Sequence, residues 1–307
     1  MENIIEMKNI VKKYKGFELN VPEFNLPRGF AAALIGENGA GKTTLLDIMS
    51  GVNLDYKGDV KYFGQYSSPD EGDVRERIGY TASTSFFMPH WKIKEVSEVC
   101  SLLFEGFHRD RFDELCSSLS LSGSKDKKVS ELSDGNKMRL MLASVFARDT
   151  QVLMMDEPAS PLDPVMRDSL CDMIREYLAA DGERSVVFST HNISDMENVT
   201  DYAVIVCGGR IAEQGFVEDL KEKYVSVKGE PGDTDKAAKF MVTQTKSNYG
   251  FEGICRAADL DKMAGLDISC ETPTLHQISV AVMKHEMAAN AATAAAASAA
   301  RAAASKA

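Results

Sequence analysis

Long apolar runs are missing from this sequence. None of its stretches approaches the roughly 18 consecutive apolar residues that a membrane-spanning helix needs, so we expect no segment that crosses a bilayer. The N-terminus carries the early acids Glu2 and Glu6, and it lacks the basic segment and apolar core of a secretion signal. We therefore expect the protein to stay in the cytoplasm.

Cysteine pairs and a basic charge balance are missing as well. The cysteines are scattered without a C-x-x-C pair, and this distribution favours buried free thiols over a disulfide framework or a zinc site. The formal net charge is −11, which argues against nonspecific binding to nucleic acid or to an anionic membrane surface as the main activity. A chain of 307 residues can nevertheless bury a sizeable core in one large domain with a smaller appendage.

A glycine-rich loop is the most informative feature that is present. Residues 36–43 read Gly-Glu-Asn-Gly-Ala-Gly-Lys-Thr, a complete G-x-x-x-x-G-K-[ST] motif. The glycines let the backbone aim N–H donors at phosphate oxygens, Lys42 brings an ammonium to the β and γ oxygens, and the Thr43 hydroxyl can ligate Mg²⁺. The buried run Phe30–Ile35 and the helical pattern of Lys42–Ser50 supply the strand and helix that flank such a loop. The motif predicts binding of ATP or GTP.

The pattern around this loop is typical of an α/β fold. Residues 1–30 alternate apolar and polar side chains, as antiparallel strands do, whereas residues 91–148 repeat apolar residues at helical spacing. Further on, buried strands at Gln151–Met155 and Ser185–Ser189 flank a helix at Val165–Ala179. We therefore predict a P-loop fold of the α/β class with a mostly parallel core sheet, an N-terminal antiparallel β subdomain and an inserted helical subdomain.

A break in the pattern predicts a second domain. Gly229–Asp233 interrupts any regular periodicity, and we place a domain boundary near residue 226. Residues 1–226 would form the nucleotide-binding domain and residues 227–287 a small α+β accessory domain. Residues 288–307 are rich in alanine and have no apolar face to bury, so we expect them to be a mobile tail.

Acids and a histidine follow the later buried strands. Asp156, which ends an apolar strand, can hold Mg²⁺, and Glu157 is placed to accept a proton from an attacking water or to orient it. Leu-Ser-Asp-Gly-Asn stands upstream at 132–136, Ser-Pro-Leu-Asp just downstream at 160–163 and Ser-Thr-His later at 189–191. In this order the motifs resemble those of the ATP-binding-cassette (ABC) family, over residues 1 to about 226.

The resemblance implies a role for each matching residue. Gly36–Thr44 corresponds to the Walker A loop, Asp156 to the Walker B aspartate, Glu157 to the catalytic glutamate and His191 to the switch histidine that contacts the γ-phosphate. Tyr14 matches the aromatic residue that stacks on adenine. For Tyr14 the alternative is an ordinary strand aromatic, and for His191 it is an ordinary core histidine.

The expected site residues fall into three groups. The catalytic residues would be Lys42, Glu157 and His191. The metal ligands would be Thr43 and Asp156. The residues that contact ATP would be Tyr14, Gly36, Asn38, Gly39, Ala40, Gly41, Lys42, Thr43, Thr44, Ser133 and Gly135.

The same resemblance implies a dimer. Ser133 and Gly135 would close over the ATP held by the other protomer, so that two copies of the chain, or this chain and a paralogous cassette, would enclose two ATP molecules. The sequence departs from the family pattern at three positions. Ser83 stands where a glutamine usually touches Mg²⁺. Residues 132–136 correspond to the family's signature, usually Leu-Ser-Gly-Gly-Gln, and Asp134 and Asn136 replace its first glycine and its glutamine. Because Ser133 and Gly135 remain, we expect activity to persist in modified form.

The function that the resemblance implies is that of an ATP-hydrolysing subunit of an ABC transporter. It would use ATP and Mg²⁺, dimerise, and drive a separate transmembrane permease from the cytoplasmic face of the membrane, docking near Ser83–Trp91. The likeness is strongest to ATPases of bacterial multidrug or antimicrobial-peptide exporters, which implies export of a drug, peptide or lipid-like substrate. The alternative is a soluble, non-transport cassette ATPase that acts on a cytosolic assembly. The absence of an Asn-Lys-x-Asp motif disfavours a GTPase, and we expect no nucleic-acid partner.

Overall fold

The chain folds into two compact units. The computed structural model describes residues 2–304, with the side chains of residues 2–292. The first unit extends to Tyr202 and includes Gly208–Arg210, and the second comprises Ala203–Cys207 and the chain from Ile211 onward.

The first unit holds the strands and helices of the predicted nucleotide-binding domain. In chain order they are β1 (Asn3–Tyr14), β2 (Phe17–Pro27), β3 (Ala31–Ile35), α1 (Lys42–Met49), β4 (Lys57–Tyr62), α2 (Val74–Arg77), β5 (Ile78–Thr81), α3 (Ile93–Leu103), α4 (Arg109–Ser118), α5 (Asp134–Phe146), β6 (Val152–Met155), α6 (Pro164–Ala179) and β7 (Ser185–Thr190). Short 3₁₀ turns at Ser122–Ser124, Val129–Glu131, Ile193–Asp195 and Glu197–Val199 connect some of them.

A parallel sheet forms the centre of this unit. Its strands lie in the order β5-β6-β7-β3, and every residue of β3, β6 and β7 is buried. The register pairs Ile35 with Thr190 and Met155 with Phe188. Because parallel strands point the same way, the segments that follow β3, β6 and β7 leave the sheet along one edge. The predicted phosphate loop, acid pair and histidine are therefore neighbours.

An antiparallel sheet and a group of helices complete the first unit. The sheet has the order β2-β1-β4, and β1 bulges at Asn9, whose φ is +54° and where its register with β4 shifts. Helices α3, α4 and α5 lie within the range 91–148 and bury an apolar face that includes Val96, Phe112 and Leu140. The mixed α/β fold predicted from the sequence is confirmed.

The second unit is built mainly on an antiparallel sheet. Its elements are β8 (Tyr202–Cys207), β9 (Arg210–Phe216), α7 (Val217–Lys223), β10 (Tyr224–Gly229), α8 (Thr234–Ala237), β11 (Met241–Ser247), β12 (Gly250–Arg256), β13 (Ile268–Glu271) and α9 (Leu275–Ala304). Short 3₁₀ turns lie at Pro231–Asp233, Ala238–Phe240 and Ala257–Met263. The sheet has the order β11-β12-β10-β13, and its core contains Val227, Phe251 and Met263.

The second unit begins earlier in the chain than the predicted accessory domain. The predicted boundary near 226 falls inside β10, which follows α7 directly, without a linker. Helix α9 begins with a reciprocal cap, in which Thr274 Oγ1 accepts from the Gln277 N–H at 3.1 Å and Gln277 Oε1 accepts from the Thr274 N–H at 2.9 Å. The mobility predicted for residues 288–307 stays a prediction, and residues 305–307 lie outside the described residues.

The cysteines differ from expectation at one position. No disulfide joins the six cysteines of the described chain, and Cys100, Cys116, Cys171 and Cys255 are buried. Cys207 is half-buried, but Cys270 is exposed. It lies on β13, one of the two outer strands of its sheet.

Candidate nucleotide-binding site

The glycine-rich loop leads from β3 into the N-terminus of α1. Gly39 and Gly41 take φ values of +81° and +110°, which residues with a Cβ adopt rarely. A Cβ on Gly41 would also lie 3.0 Å from the Leu19 side chain and 3.1 Å from that of Phe17. The glycine at position 41 is thus required both by the turn and by the packing beneath it.

Lys42, the first residue of α1, bends back over the loop. Its ammonium donates to the carbonyl oxygens of Gly36 at 2.8 Å and Glu37 at 3.2 Å, and it lies 3.3 Å from Oε1 of Glu157. The side chain is buried, although the ammonium is a strongly hydrated group. This buried positive charge beside a helix N-terminus favours the binding of an anion.

Asp156 lies at the end of β6 and is 1% exposed. One carboxylate oxygen, Oδ2, accepts from the Thr43 hydroxyl at 2.9 Å, and the other, Oδ1, accepts from the Ser189 hydroxyl at 2.5 Å. A buried carboxylate is tolerated when its oxygens are hydrogen-bonded in this way. Thr43 and Asp156 together present the hard oxygen donors that Mg²⁺ prefers.

Glu157 follows with an uncommon backbone conformation. Its φ is +49°, in the left-handed region that a non-glycine residue occupies at a cost. Its N–H donates to Ser189 Oγ at 2.9 Å, and its Oε2 lies 2.7 Å from Nδ1 of His191. The strained backbone therefore holds the carboxylate between the Lys42 ammonium and the His191 ring.

A third acid, Asp47, lies near this cluster, one helical turn after Thr43. Burial raises the pKa of Asp47; a hydrogen bond from Tyr80, 2.7 Å away, opposes the rise, and the charge of Asp156 adds to it. Burial also raises the pKa of the Tyr80 hydroxyl. The Tyr80–Asp47 contact joins α1 to β5 behind the site.

A pocket of about 510 Å³ opens beside the loop. Its lining includes Lys42, Thr43, Asp156, Glu157 and the rings of Tyr14 and Phe17. Tyr14 is 47% exposed, and its ring centroid lies 6.3 Å from that of Phe17. Phe17 is not among the site residues expected from the sequence. The β1–β2 register pairs it directly with Tyr14, and an aromatic residue on each side of a tight turn is a signal that could have identified it.

The Leu-Ser-Asp-Gly-Asn segment starts α5. Ser133 caps the helix, since its Oγ accepts from the Asn136 N–H at 3.3 Å. A Cβ on Gly135 would lie 2.8 Å from the backbone oxygen of Pro161. Among the described residues that line the pocket beside the loop, neither Ser133 nor Gly135 is found.

The Asp134 carboxylate is 88% exposed and lies 3.0 Å from the Lys137 ammonium, whose side chain is 29% exposed. It is therefore paired within its own helix. Both residues line a larger cavity of about 730 Å³ that also contacts Ser83, Glu157 and His191.

A third cavity, of about 370 Å³, is mainly apolar. Phe86, Trp91, Leu103 and Phe104 line it, and Arg148 stacks on the Phe104 ring at 3.5 Å. Phe86 is exposed, whereas Phe87 is buried and borders two of the cavities. The aromatic residues of the predicted docking segment 83–91 are thus divided between core and surface.

The described residues limit where the chain can span a membrane or hold a metal ion. No helix among them is both long enough and apolar enough to span a bilayer. In the same part of the chain no cluster of three or more His, Cys, Asp or Glu residues could hold a metal ion. A metal at Thr43 and Asp156 would therefore take most of its ligands from water and phosphate, as Mg²⁺ usually does.

Comparison with known proteins supplies the family. The sequence profile described as "ABC transporter" matches residues 19–160. YxlF, an uncharacterized ABC transporter ATP-binding protein of Bacillus subtilis, is 30% identical over 72% of this chain and 73% of its own length. YehX, a glycine betaine uptake system ATP-binding protein of Escherichia coli, is 31% identical over 69% of this chain and 70% of its own length.

Structural comparison agrees on the fold. A solved ATP-binding subunit of an ABC transporter superposes with a TM-score of 0.63 at 24% identity, covering 71% of this chain and 92% of that one. The chain spans only 14% and 15% of two long human relatives that it also matches, ATP-binding cassette sub-family A members 6 and 10. Motifs, fold and relatives agree: this chain carries an ABC ATPase domain and belongs to the family of ABC transporter ATP-binding proteins.

Proposed function

We propose that this chain binds and hydrolyses ATP, dimerises around two ATP molecules and drives a separate transmembrane permease. One observation carries the proposal. Five residues that follow three adjacent strands form one connected set of contacts: Lys42, Thr43, Asp156, Glu157 and His191. Each contact in the set, including those through Ser189 that join Asp156 to Glu157, is no longer than 3.3 Å. Such a set is suited to phosphoryl transfer, which depends on positioning and on stabilising charge.

The chemistry follows from what each side chain offers. The Lys42 ammonium would release Glu157 and pair with the β- and γ-phosphate oxygens, and His191 would donate to the γ-phosphate. Glu157, freed from both partners, would accept a proton from water as the water oxygen bonds to the γ-phosphorus. The bond from that phosphorus to the β–γ bridging oxygen breaks, and ADP leaves with the electron pair.

A divalent cation fits the residues that are present. Asp156 Oδ2 and Thr43 Oγ1 lie 2.9 Å apart, and both residues line the pocket and offer oxygen ligands. Mg²⁺ held there would neutralise charge on the phosphates. The chain's own part is to keep the two oxygens side by side.

The dimer is proposed from residues that stand apart from the pocket. Ser133 and Gly135 do not line the nucleotide pocket of their own chain among the described residues. We propose that they meet the ATP of a second cassette, which a two-fold pair of identical chains would provide at both sites. ATP would then act as part of the interface and favour closure.

A permease would dock in the apolar cavity next to Phe86 and Trp91. An exposed aromatic surface in a groove of this kind is typical of a protein-binding site, and it favours transport over the alternative of a soluble assembly factor. The docked chain would lie on the cytoplasmic face of the membrane. Phe86→Ser should reduce permease co-purification, whereas Tyr249→Ser, at a 93% exposed aromatic residue in the second unit, should not. Equal capture by both variants would refute this docking site.

We propose that the permease exports a drug, peptide or lipid-like substrate. This direction is based on the likeness to exporter ATPases at Ser83 and in the accessory region. The family also includes importers, as the name of YehX states. Inverted membrane vesicles that contain the permease should accumulate substrate when ATP is added outside. Loss of preloaded substrate instead would indicate import.

Hydrolysis is tested with matched glutamate variants. Glu157→Gln should retain ATP binding and lower turnover by about 10²-fold or more, because it removes the general base. Lys42→Ala should lose nucleotide affinity. Glu183→Gln is the control, since the Glu183 side chain is largely exposed and its carboxylate pairs with Arg28, away from the site. A Glu157→Gln variant that turns over at the wild-type rate would contradict the assignment.

A further inference from the structure

Ser189 connects the two acids of the site through a single hydroxyl. It is the next-to-last residue of β7 and is 0% exposed. Its Oγ donates to Oδ1 of Asp156 at 2.5 Å and accepts from the N–H of Glu157 at 2.9 Å. A serine hydroxyl has one proton to donate, and here that proton is used on a carboxylate.

The backbone of Glu157 depends on this contact. β6 ends at Met155, whose register partner on β7 is Phe188. The chain then turns into the left-handed conformation at Glu157, with φ of +49°, and its N–H bonds to the serine side chain instead of a strand carbonyl. Without that acceptor, a donor in a largely buried site would lose its partner.

The side-chain contacts of Glu157 are the ones that nucleotide would take. Its carboxylate bonds to Lys42 and His191, which are the two groups proposed above to bind the γ-phosphate. The Ser189 side chain, by contrast, is 0% exposed and is not among the described residues that line the pocket beside the loop. It can therefore hold Glu157 in the same orientation before and after ATP enters.

We propose that Ser189 is a positioning residue that couples the metal-binding carboxylate of Asp156 to the orientation of Glu157. The inference rests on the proposed ATPase function. By binding Oδ1, Ser189 fixes the carboxylate so that Oδ2 faces Thr43. By accepting from the Glu157 N–H, it fixes the strained residue that orients water. A shift of Asp156 is therefore transmitted to Glu157 through one oxygen atom.

The chain offers a matched control on the same strand. Ser185, the first residue of β7, is also 0% exposed. Its Oγ accepts from the Gly29 N–H at 2.9 Å and donates to the Pro27 carbonyl at 3.2 Å. Ser185→Ala thus removes one donor and one acceptor contact from a buried serine, as Ser189→Ala does, but away from the acids.

The test measures metal binding as well as turnover. Mn²⁺, which can be followed by electron paramagnetic resonance, serves as the probe on ADP-loaded protein. Ser189→Ala should weaken Mn²⁺ binding about tenfold and lower kcat about 10- to 100-fold, the usual effect of losing an outer-shell partner, with a much smaller change in KM for ATP. Ser185→Ala should leave Mn²⁺ affinity and kcat at wild-type values, whatever its effect on thermal stability.

A second pair of variants decides the question if an alanine variant fails to fold. Ser189→Thr keeps the hydroxyl, and Ser189→Val has the shape of threonine without the hydroxyl. The threonine variant should therefore stay near wild type in Mn²⁺ affinity and kcat, whereas the valine variant should be reduced in both. Equal Mn²⁺ affinity and equal kcat in these two variants would overturn the role of Ser189. A wild-type chain with neither ATPase activity nor nucleotide-dependent Mn²⁺ binding would instead refute the proposed function.

Discussion

Gly135→Ala tests whether the start of α5 is fitted against the segment before α6. The added Cβ would lie 2.8 Å from the Pro161 oxygen, whereas ordinary contact begins at 3.4 Å, so the two segments must separate by about 0.6 Å, the difference between these values. The Pro161 side cannot yield freely. Asp163, two residues later, bonds to Arg139 at 2.7 Å and caps α6 by accepting from the Met166 N–H at 3.1 Å.

The size of the effect follows from this overlap. Overpacking of this kind costs about 1–3 kcal/mol, and each kcal/mol lowers Tm by roughly 2–4 °C in a domain of this size. We therefore expect Gly135→Ala to lower Tm by several degrees. Displacing the signature by half an ångström should also weaken ATP-dependent dimerisation by about tenfold or more.

Calorimetry and sedimentation with ATP would measure the two effects, each in parallel with Gly123→Ala. Gly123 lies in a short 3₁₀ turn, and a Cβ there meets nothing within 4 Å. If the Tm and the ATP-dependent dimer constant of the two variants coincide, the packing of Gly135 against Pro161 does not matter and the reasoning is refuted.

Three further predictions concern charge and thiol chemistry. The Lys137 ammonium lies 3.0 Å from the Asp134 carboxylate and offsets its negative charge, which would otherwise repel the ATP of the other protomer. Lys137→Ala should therefore weaken the ATP-bound dimer and Asp134→Asn should tighten it, both most strongly at low salt. Sedimentation at two salt concentrations measures the dimer constants. Maleimide should label exposed Cys270 well before Cys116, since burial raises the pKa of the Cys116 thiol to about 12, and mass spectrometry gives the order; equal rates would contradict it. Burial raises the pKa of Asp47, so the folded state holds that proton more tightly and loses stability as the pH rises through the raised pKa. Asp47→Asn should therefore raise Tm at pH 7, with the gain vanishing towards pH 4, and a gain that is constant with pH would refute this.

The features that the sequence predicts well are local ones. The phosphate loop is a contiguous motif, and its strand, turn and helix follow from neighbouring residues. The acids and His191 come from separate motifs, but each ends a fully buried strand of a parallel sheet, so their convergence at one edge could also be predicted. The helices of the helical subdomain could be predicted because apolar residues recur at helical spacing over many residues.

The features that the sequence does not reveal depend on register and on packing. Ser189 resembles any serine in a buried strand, and only the alignment of β6 with β7 brings its hydroxyl between Asp156 and Glu157. Cys270 is exposed and lies on β13, an outer strand of its sheet, and no local pattern specifies that position. Asp134 and Lys137, in contrast, lie three positions apart on one helix, so this pair could have been predicted from helical geometry alone.

The central claim is that ATP itself joins two copies of this chain. The most direct test is light scattering on Glu157→Gln after size exclusion, with ATP, with ADP and without nucleotide, in parallel with Lys42→Ala. We predict a dimer mass for Glu157→Gln only with ATP, and a monomer mass for Lys42→Ala under all three conditions. A Glu157→Gln mass that is the same with and without ATP would contradict the account.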